Sequence, residues 1–325
     1  MNAPVAVAAR PLPISGLRGH SSFLDDVIEG LSRRQKVLPP KYFYDLEGSR
    51  LFDEITRLPE YYPTRTELGI LRDNAGAIGR LAPAGAAVVE FGSGSTEKIR
   101  VLLRAIPDVS AYVPVDVSGD FLNAEADQLR ADLPGLEITP VAADFTQDVS
   151  LPATVTGRPV VGFFPGSTVG NFEPDVAVWL LGRFARLLGP GALLILGVDL
   201  VKGDSILNAA YDDAAGVTAR FNLNLLARMN RELGADFDLR SFAHRAFFNR
   251  ERSRVEMHLV SRHKQAVRIS DMTIPFAAGE TIHTENSYKY TPHSFETLAG
   301  HAGWAREAMF MDCGELFAVF ALRAS

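Results

Sequence analysis

The chain has 325 residues, 47% of them hydrophobic, with 33 lysines and arginines against 39 aspartates and glutamates, a formal net charge of −6. This length can form two domains or one enlarged domain around a buried core, while the acidic balance disfavours nucleic-acid backbones and anionic membranes and favours small neutral or zwitterionic substrates. Cys313 is the only cysteine, which excludes an internal disulfide and a thiolate zinc cluster and is typical of a reducing cytoplasm.

Residues 1–16 are rich in alanine and proline and lack a long apolar core, so they predict a disordered tail and not a signal peptide. Elsewhere the longest apolar run, 192–198, is far shorter than the roughly 20 residues that cross a bilayer. His258 and His263 lack a recognised metal-ligand spacing, and we expect them at strand or surface positions. We therefore expect no metal, no membrane partner and no nucleic-acid partner.

The segment after the tail combines helical patterns with a proline-bounded stretch. Apolar residues recur at helical spacing over 23–31, and further helices are predicted over 48–58 and 66–80. Between the first two helices, Leu38-Pro-Pro-Lys-Tyr-Phe-Tyr-Asp45 contains two prolines and predicts a structured loop.

The stretch 87–98 runs Ala-Val-Val-Glu-Phe-Gly-Ser-Gly-Ser-Thr-Glu-Lys, which predicts a buried strand, a glycine turn and a helix. A dinucleotide-binding fingerprint would have a third glycine at position 97, where this chain has Glu97. An acidic residue just before Gly-x-Gly, here Glu90, is typical of class I methyltransferases, which bind S-adenosylmethionine. Alone, Gly92 and Gly94 are also compatible with a plain tight turn in an α/β protein.

Strand and helix patterns then alternate, which predicts an α/β fold with a doubly wound parallel sheet. The predicted strands are 86–91, 111–117, 138–142, 160–164 and 192–198, and the predicted helices are 96–105, 119–132 and 174–188. In such sheets, ligands bind beyond the carboxyl ends of the strands.

Those strand ends are polar. They carry Glu90 with Gly92, then Asp116, then Asp144, then Gly166-Ser-Thr-Val-Gly-Asn171. Asp116 lies 24 residues beyond Gly92, near the spacing of roughly 20 at which a carboxylate accepts hydrogen bonds from a ribose diol. An aspartate after a strand can also simply cap the next helix, and agreement among several strand ends favours the ligand.

The alternation stops after Asp199. The patterns that follow predict helices over 204–213, 217–233 and 292–302, strands within 242–290, and an antiparallel pair of 305–311 with 316–322. We therefore predict two domains. The cofactor-binding domain comprises 65–201 and 292–325, and a second α+β domain, for substrate recognition, comprises 17–64 and 202–291.

Several long motifs are similar to those of one enzyme family. They are Leu38-Pro-Pro-Lys-Tyr-Phe-Tyr-Asp45, Ile55-Thr-Arg-Leu-Pro-Glu-Tyr-Tyr-Pro-Thr-Arg65, Glu90-Phe-Gly-Ser-Gly94, Gly166-Ser-Thr-Val-Gly-Asn171, Ala209-Ala-Tyr-Asp-Asp213 and Thr284-Glu-Asn-Ser-Tyr-Lys289. On these motifs the sequence resembles the histidine-specific Nα-methyltransferases of ergothioneine biosynthesis. The resemblance implies a class I (Rossmann-like) methyltransferase core, S-adenosyl-L-methionine as cofactor, and three transfers to the α-amino nitrogen of L-histidine that give hercynine.

The resemblance also implies roles for individual residues. For the cofactor it implies contacts from Gly92, Lys98, Asp116, Asp144 and Phe145. For the substrate it implies Tyr61, Asn171 and Tyr211 at the amino-acid end, and Glu285, Ser287 and Met257 at the imidazole. For catalysis it implies Tyr44 and Asn171.

The alternation Glu285-x-Ser287 places both side chains on one face of a strand. A carboxylate can accept the imidazole N–H while a hydroxyl meets the other ring nitrogen, which indole cannot satisfy. Without the resemblance, Glu285 would be interpreted as a solvated strand residue, and the tyrosines near Tyr44 and Tyr61 as core packing. With it, these tyrosines offer aromatic faces to a quaternary ammonium product.

Methyl transfer from a sulfonium needs neither a metal nor a covalent nucleophile, but the acceptor amine must be neutral. Tyr44 is a candidate to remove its proton, and solvent is the alternative. Other functions stay open: a related methyltransferase for another amino acid, a nicotinamide-dependent oxidoreductase, or a silent nucleotide-binding module. A cytoplasmic monomer is expected, since no heptad pattern is visible.

Overall fold

The structure, a computed structural model, describes residues 22–93, 96–117 and 119–325, without the side chains of Asp120 and Phe121. The tail predicted over residues 1–16 and the Gly94 and Ser95 of the glycine turn lie outside these residues. No helix in the described ranges is long and apolar enough to cross a membrane.

The helices agree closely with the sequence patterns. They are α1 (Phe23–Leu31), α2 (Leu46–Thr56), α3 (Tyr62–Asp73), α4 (Ala75–Leu81), α5 (Thr96–Ala105), α6 (Gly119–Asp132), α7 (Pro174–Leu188), α8 (Asp204–Tyr211), α9 (Val217–Leu233) and α10 (Pro292–His301). The helix predicted over 66–80 is instead two helices, because the chain turns at Asn74, whose side chain donates to the carbonyl of Ile70 at 2.8 Å. The loop predicted over 38–45 contains a short 3-10 helix, Pro40–Phe43, with proline at its first position, where no N–H is needed.

The strands are β1 (Lys36–Val37), β2 (Ala87–Phe91), β3 (Ala111–Asp116), β4 (Glu137–Ile138), β5 (Val141–Ala142), β6 (Val160–Phe164), β7 (Leu193–Asp199), β8 (Phe242–Asn249), β9 (Arg254–Ser261), β10 (Gln265–Ile269), β11 (Met272–Phe276), β12 (Thr281–Tyr288), β13 (Trp304–Met311) and β14 (Phe317–Ala324). The single strand predicted within 138–142 is divided into β4 and β5. Pro140 lies between them and has no N–H to donate to a sheet.

The large sheet has the order β13-β14-β7-β6-β2-β3-β4, with β5 also paired to β3. Its strands from β4 to β7 are parallel, whereas β14 is antiparallel to β7 and β13 is antiparallel to β14. From the central β2 the chain first builds toward β3 and then returns to place β6 on the other side. A switch point therefore lies at the carboxyl end of β2, where doubly wound sheets bind their ligands.

Side chains of β2 alternate between two hydrophobic cores, one on each face of the large sheet. Val89 and Phe91 pack in the core formed with α7 and α10, and the Phe91 ring stacks on Phe184 at 3.8 Å. Val88 packs in the other core with helix residues such as Ile99. Every residue of β2 is buried, so the strand holds the glycine turn on a rigid base.

A smaller sheet has the order β1-β12-β9-β8, with β1 parallel to β12. The N-terminal segment is thus joined by strand pairing to the part of the chain after 242. A further core lies between this sheet and the helices α1, α2, α8 and α9, and it includes Val27, Phe43, Phe221, Leu225 and Ile282.

Candidate active site

The glycine turn follows β2 directly. Gly92 has φ +75°, which side chains rarely adopt, and its N–H donates to the carbonyl of Val115 at 2.9 Å. A Cβ at this position would lie 3.5 Å from the ring of Phe145. The structure therefore brings together two of the residues that the sequence assigns to the cofactor.

Asp116 and Asp144 lie at neighbouring strand ends. Asp116 is the last residue of β3, and its carbonyl accepts the N–H of Ala143 at 2.9 Å, next to Asp144 in the chain. The Asp144 carboxylate accepts from the N–H of Thr146 at 2.9 Å and from its hydroxyl at 2.6 Å. This turn fixes Asp144 beside Asp116 at the carboxyl edge of the sheet.

Glu90 is a buried residue of β2, just before the glycine turn. It is fully buried, and the hydroxyl of Tyr112 donates to its carboxylate. Burial raises the pKa of Glu90 to about 7, against the hydrogen bonds from Tyr112 and Ser93, which lower it. The acidic residue of the motif is therefore anchored inside the protein by its neighbours on the adjacent strand and turn.

Lys98 has a carboxylate partner, Glu67, that was not predicted. Its Nζ lies 2.5 Å from Oε2 of Glu67 on α3, and Glu67 also accepts the N–H of Gly166, at 2.9 Å to Oε2 and 3.1 Å to Oε1. Glu67 is 0% exposed. One signal was present: the apolar strand β7 is interrupted by Gly197, where a Cβ would lie only 2.0 Å from Glu67, and a lone strand glycine indicates a close approach.

Tyr44, Tyr61 and Tyr211 form an aromatic wall together with Phe52. The rings of Tyr61 and Tyr211 are 6.2 Å apart, and Phe52 lies between Tyr44 and Tyr61, at 5.7 and 6.3 Å from their ring centres. Burial raises the pKa of all three tyrosines well above 10, with nearby charges such as Glu285 adding to the effect. All three phenols are therefore neutral, and Tyr44 is a poor general base because its phenolate is disfavoured.

A β-bulge directs Glu285 toward this wall. On β12, His283 pairs with His258, but Glu285 rather than Thr284 pairs with Met257, so Thr284 is the extra residue. Its hydroxyl donates to the carbonyl of Met257 at 3.1 Å. Without the bulge, Glu285 would point to the other face of the sheet; with it, Glu285 and Met257 share a face.

Ser287 follows Glu285 on the same face. Its hydroxyl lies 2.7 Å from that of Tyr211, and Lys289 donates to both, at 2.7 and 2.9 Å. Burial raises the pKa of Glu285 to about 7, which the Lys289 ammonium opposes. The predicted residues Tyr211, Glu285 and Ser287 are thus brought together, with Lys289 as a member that was not predicted.

Asn171 ends a short 3-10 helix, Thr168–Asn171, that packs against β12. The approach is close: a Cβ at Gly170 would lie 2.7 Å from the carbonyl oxygen of Tyr288. Beside it, the Ser167 hydroxyl accepts the N–H of Asp199 at 2.9 Å. The segment that carries Asn171 therefore lies against the strand that carries Ser287.

Other polar and aromatic residues have structural roles. Phe43 stacks on Phe221 at 4.6 Å within a core, and Tyr62 donates to the Asp199 carboxylate at 2.7 Å. The Asp213 carboxylate accepts the N–H groups of Val217 and Thr218 and caps α9. 

The outer face of the small sheet carries a separate cluster. Glu256, His258 and His283 offer ligand atoms within 4.8 Å of one another. The two histidine rings stack at 4.6 Å, and Arg254 holds the Glu256 carboxylate at 2.8 Å. His258 is thus a buried strand position, as expected, within an ion-paired cluster.

The large sheet has an antiparallel pair at one edge, a glycine turn after its central strand and acidic residues at the next two strand ends. This arrangement defines a class I S-adenosylmethionine-dependent methyltransferase. The nearness of Gly92 to Phe145 and of Asp116 to Asp144 fits a nucleoside at this edge. More particularly, the chain belongs to the family described as histidine-specific methyltransferase, SAM-dependent, whose model matches residues 23–324.

Curated relatives agree with this assignment. The chain is 48% identical over 293 residues to a histidine N-alpha-methyltransferase of Mycolicibacterium smegmatis, covering 88% of this chain and 90% of the relative. It is 42% identical over 299 residues to a protein of the same name from Mycobacterium tuberculosis, covering 90% and 92%. Ergothioneine biosynthesis protein 1 of Neurospora crassa is 27% identical over 291 residues, covering 82% of this chain and 31% of that protein.

Proposed function

We propose that this chain transfers three methyl groups from S-adenosyl-L-methionine to the α-amino nitrogen of L-histidine, giving hercynine, the first step of ergothioneine biosynthesis. The observation that carries the proposal is the bulge on β12, which places Met257, Glu285 and Ser287 on one face of the small sheet. The Ser287 hydroxyl is also hydrogen-bonded to that of Tyr211. A carboxylate and a hydroxyl side by side match the two nitrogens of an imidazole. Membership of the histidine-specific family supports the same substrate.

The cofactor, when bound, supplies an electrophilic methyl group on a sulfonium. We assign its binding to the edge of the large sheet, with contacts from Gly92, Lys98, Asp116, Asp144 and Phe145. The ion pair of Lys98 with Glu67 holds the lysine in place beside Gly166. The chain's task is then to bind, orient and exclude water, because the leaving group is already part of the cofactor.

At the amino-acid end of the substrate we assign Tyr61, Asn171 and Tyr211, with Tyr44 and Asn171 in contact with the reacting amine. Since burial keeps the Tyr44 phenol protonated, Tyr44 does not remove the proton, which goes to solvent. Its phenol oxygen orients the neutral amine by accepting one N–H, which leaves the nitrogen lone pair free to attack. Each transfer adds a methyl group, and the quaternary product is stabilised by the faces of the aromatic wall.

Cofactor binding and substrate recognition are assigned to different regions of the chain. We propose that 65–201 and 292–325 form the cofactor-binding domain and that 17–64 and 202–291 form the substrate-recognition domain. The pairing of β1 with β12 supports the joining of the two distant substrate segments. We further propose a cytoplasmic monomer whose partners are histidine and its methylated intermediates, with no nucleic acid and no membrane.

The test is direct. Purified protein is incubated with S-adenosylmethionine and an equimolar mixture of the twenty amino acids, and methylated products are identified by mass spectrometry. Trimethylated histidine supports the proposal, and another methylated amino acid identifies a relative with a different substrate. If no amino acid is methylated while the cofactor binds, the proposal is wrong. In the matched variant Glu285→Ala, histidine binding should weaken by about 1.5–3 kcal/mol while cofactor binding is kept.

A further inference from the structure

Lys289 lies at the centre of a buried polar cluster. Its side chain is 0% exposed, and its Nζ lies 2.7 Å from Oδ2 of Asp199, 2.7 Å from the Ser287 hydroxyl and 2.9 Å from the Tyr211 hydroxyl. An ammonium has three N–H donors and no acceptor, so these partners use all of them. Both hydroxyl groups therefore accept a hydrogen bond from Lys289.

The remaining bond within the cluster joins the two hydroxyls, whose oxygens are 2.7 Å apart. A phenol is the better donor and an aliphatic alcohol the better acceptor, because the phenol is the stronger acid, with an ordinary pKa of about 10. Tyr211 therefore donates to Ser287. The Ser287 oxygen then accepts from both Lys289 and Tyr211, which occupies its two lone pairs.

A hydroxyl with both lone pairs occupied can only donate. We propose that Lys289 is a positioning residue that makes Ser287 a hydrogen-bond donor, so that the substrate ring must present a nitrogen with a free lone pair to Ser287 and an N–H to Glu285. This inference rests on the proposed function and refines its substrate: the ring is taken as neutral imidazole, in one orientation.

The charges of the cluster agree with a neutral ring. Asp199 is held between Lys289 and Lys202, with Lys202 at 2.5 Å from Oδ1. With Glu285 ionised, the two lysines and the two carboxylates balance. An imidazolium would add an uncompensated charge to a buried region, which is costly.

Lys289→Met tests the inference, because methionine fills similar space without a donor. Ligands are histidine and the two isomers of β-pyrrolylalanine, which keep one ring N–H and lack the lone-pair nitrogen; binding is measured by calorimetry with S-adenosylhomocysteine present. In the wild type we expect histidine to bind about tenfold or more tighter than the better pyrrole isomer. In Lys289→Met the ratio of the affinity for histidine to the affinity for the better pyrrole isomer should fall at least about fivefold, while the affinity for the pyrrole isomers changes little. A purely structural role would weaken all three ligands alike.

Three further variants complete the test. Lys202→Met removes the other cation of Asp199 without touching Ser287, and it should keep the wild-type ratio. Lys289→Gln retains two N–H donors and should also keep most of the ratio, whereas Tyr211→Phe frees a lone pair on Ser287 and should lower it. If Lys289→Met does not fold, these last two variants decide the matter. A ratio that is unchanged in Lys289→Met, or lost in Lys289→Gln and kept in Tyr211→Phe, overturns the inference. Failure of the wild type to methylate histidine would instead overturn the proposed function.

Discussion

The carboxylate of Glu67 is buried against Lys98, with 2.5 Å between Oε2 and Nζ, and it ties helix α3 to the helix that follows the glycine turn. The same carboxylate accepts the N–H of Gly166 at the end of β6. One side chain thus links three elements around the cofactor edge.

We predict that Glu67→Ala lowers the free energy of unfolding by about 3–5 kcal/mol, because it leaves the buried ammonium of Lys98 uncompensated and the Gly166 N–H without its acceptor. Urea unfolding followed by circular dichroism measures the change. Glu29→Ala on α1 serves as the control, since Glu29 and its partner Arg33 are exposed. Equal stability of the two variants would show that the Glu67 pair contributes nothing.

Gly92 and Gly85 have nearly the same left-handed backbone, with φ of +75° and +71°, but only Gly92 lies at the cofactor edge. Alanine at either position should cost about 1–2 kcal/mol of stability from backbone strain. We predict that only Gly92→Ala also lowers the affinity for S-adenosylmethionine, by about tenfold or more, because its Cβ occupies space beside the Phe145 ring that we assign to the cofactor. Equilibrium dialysis with labelled cofactor measures the affinity. Equal cofactor affinity in the two variants would contradict the assignment of Gly92.

The sheet was predictable because its buried strands are continuous apolar runs separated by helical patterns. The residues at the strand ends were also predictable, since Asp116 and Asp144 follow directly from the positions of β3 and β5. Glu67 and Lys289 were not, because a charged residue on a helix or strand is usually solvated, and burial of both depends on partners far away in the sequence. The break at Asn74 was missed because a single polar residue does not disturb the apolar spacing.

Burial raises the pKa of Glu285 to about 7, and this predicts the pH dependence of histidine binding. Below pH 7 the carboxyl is protonated and accepts the ring N–H more weakly than the carboxylate does, so affinity for histidine should rise as pH increases through 7. We expect Glu285→Gln to lose this titration and to retain only that of the histidine ring itself, which protonates at about 6.5. Calorimetric titrations between pH 5.5 and 8.5 measure both profiles.

Identical pH profiles for the wild type and Glu285→Gln would show that Glu285 does not titrate in contact with the substrate. The affinity for S-adenosylhomocysteine, measured over the same range, is the internal control. It should be the same in both proteins, because Glu285 lies on the small sheet, away from the glycine turn.

The sheet face on which Glu285 lies depends on a β-bulge that sequence periodicity does not reveal. The Glu285-x-Ser287 spacing puts the two residues on a common face, but an unbroken ladder after His283 would turn both away from Met257. The extra residue Thr284 reverses this, and its hydroxyl donates to the Met257 carbonyl at 3.1 Å. We predict that Thr284→Val, which keeps the shape but removes this donor, costs about 0.5–1.5 kcal/mol of stability by removing a buried hydrogen bond.

The same variant should raise the KM for histidine several-fold while the KM for S-adenosylmethionine stays unchanged, because only the small sheet is disturbed. Thr281→Val, on the same strand but outside the bulge, is the matched control; its hydroxyl accepts from the Gln35 amide at 3.2 Å, in an exposed contact. Steady-state kinetics with both substrates varied measures the two constants. If Thr284→Val and Thr281→Val change the histidine KM equally, the bulge does not position Glu285. If only Thr284→Val does, substrate specificity depends on a backbone irregularity as well as on the carboxylate that it presents.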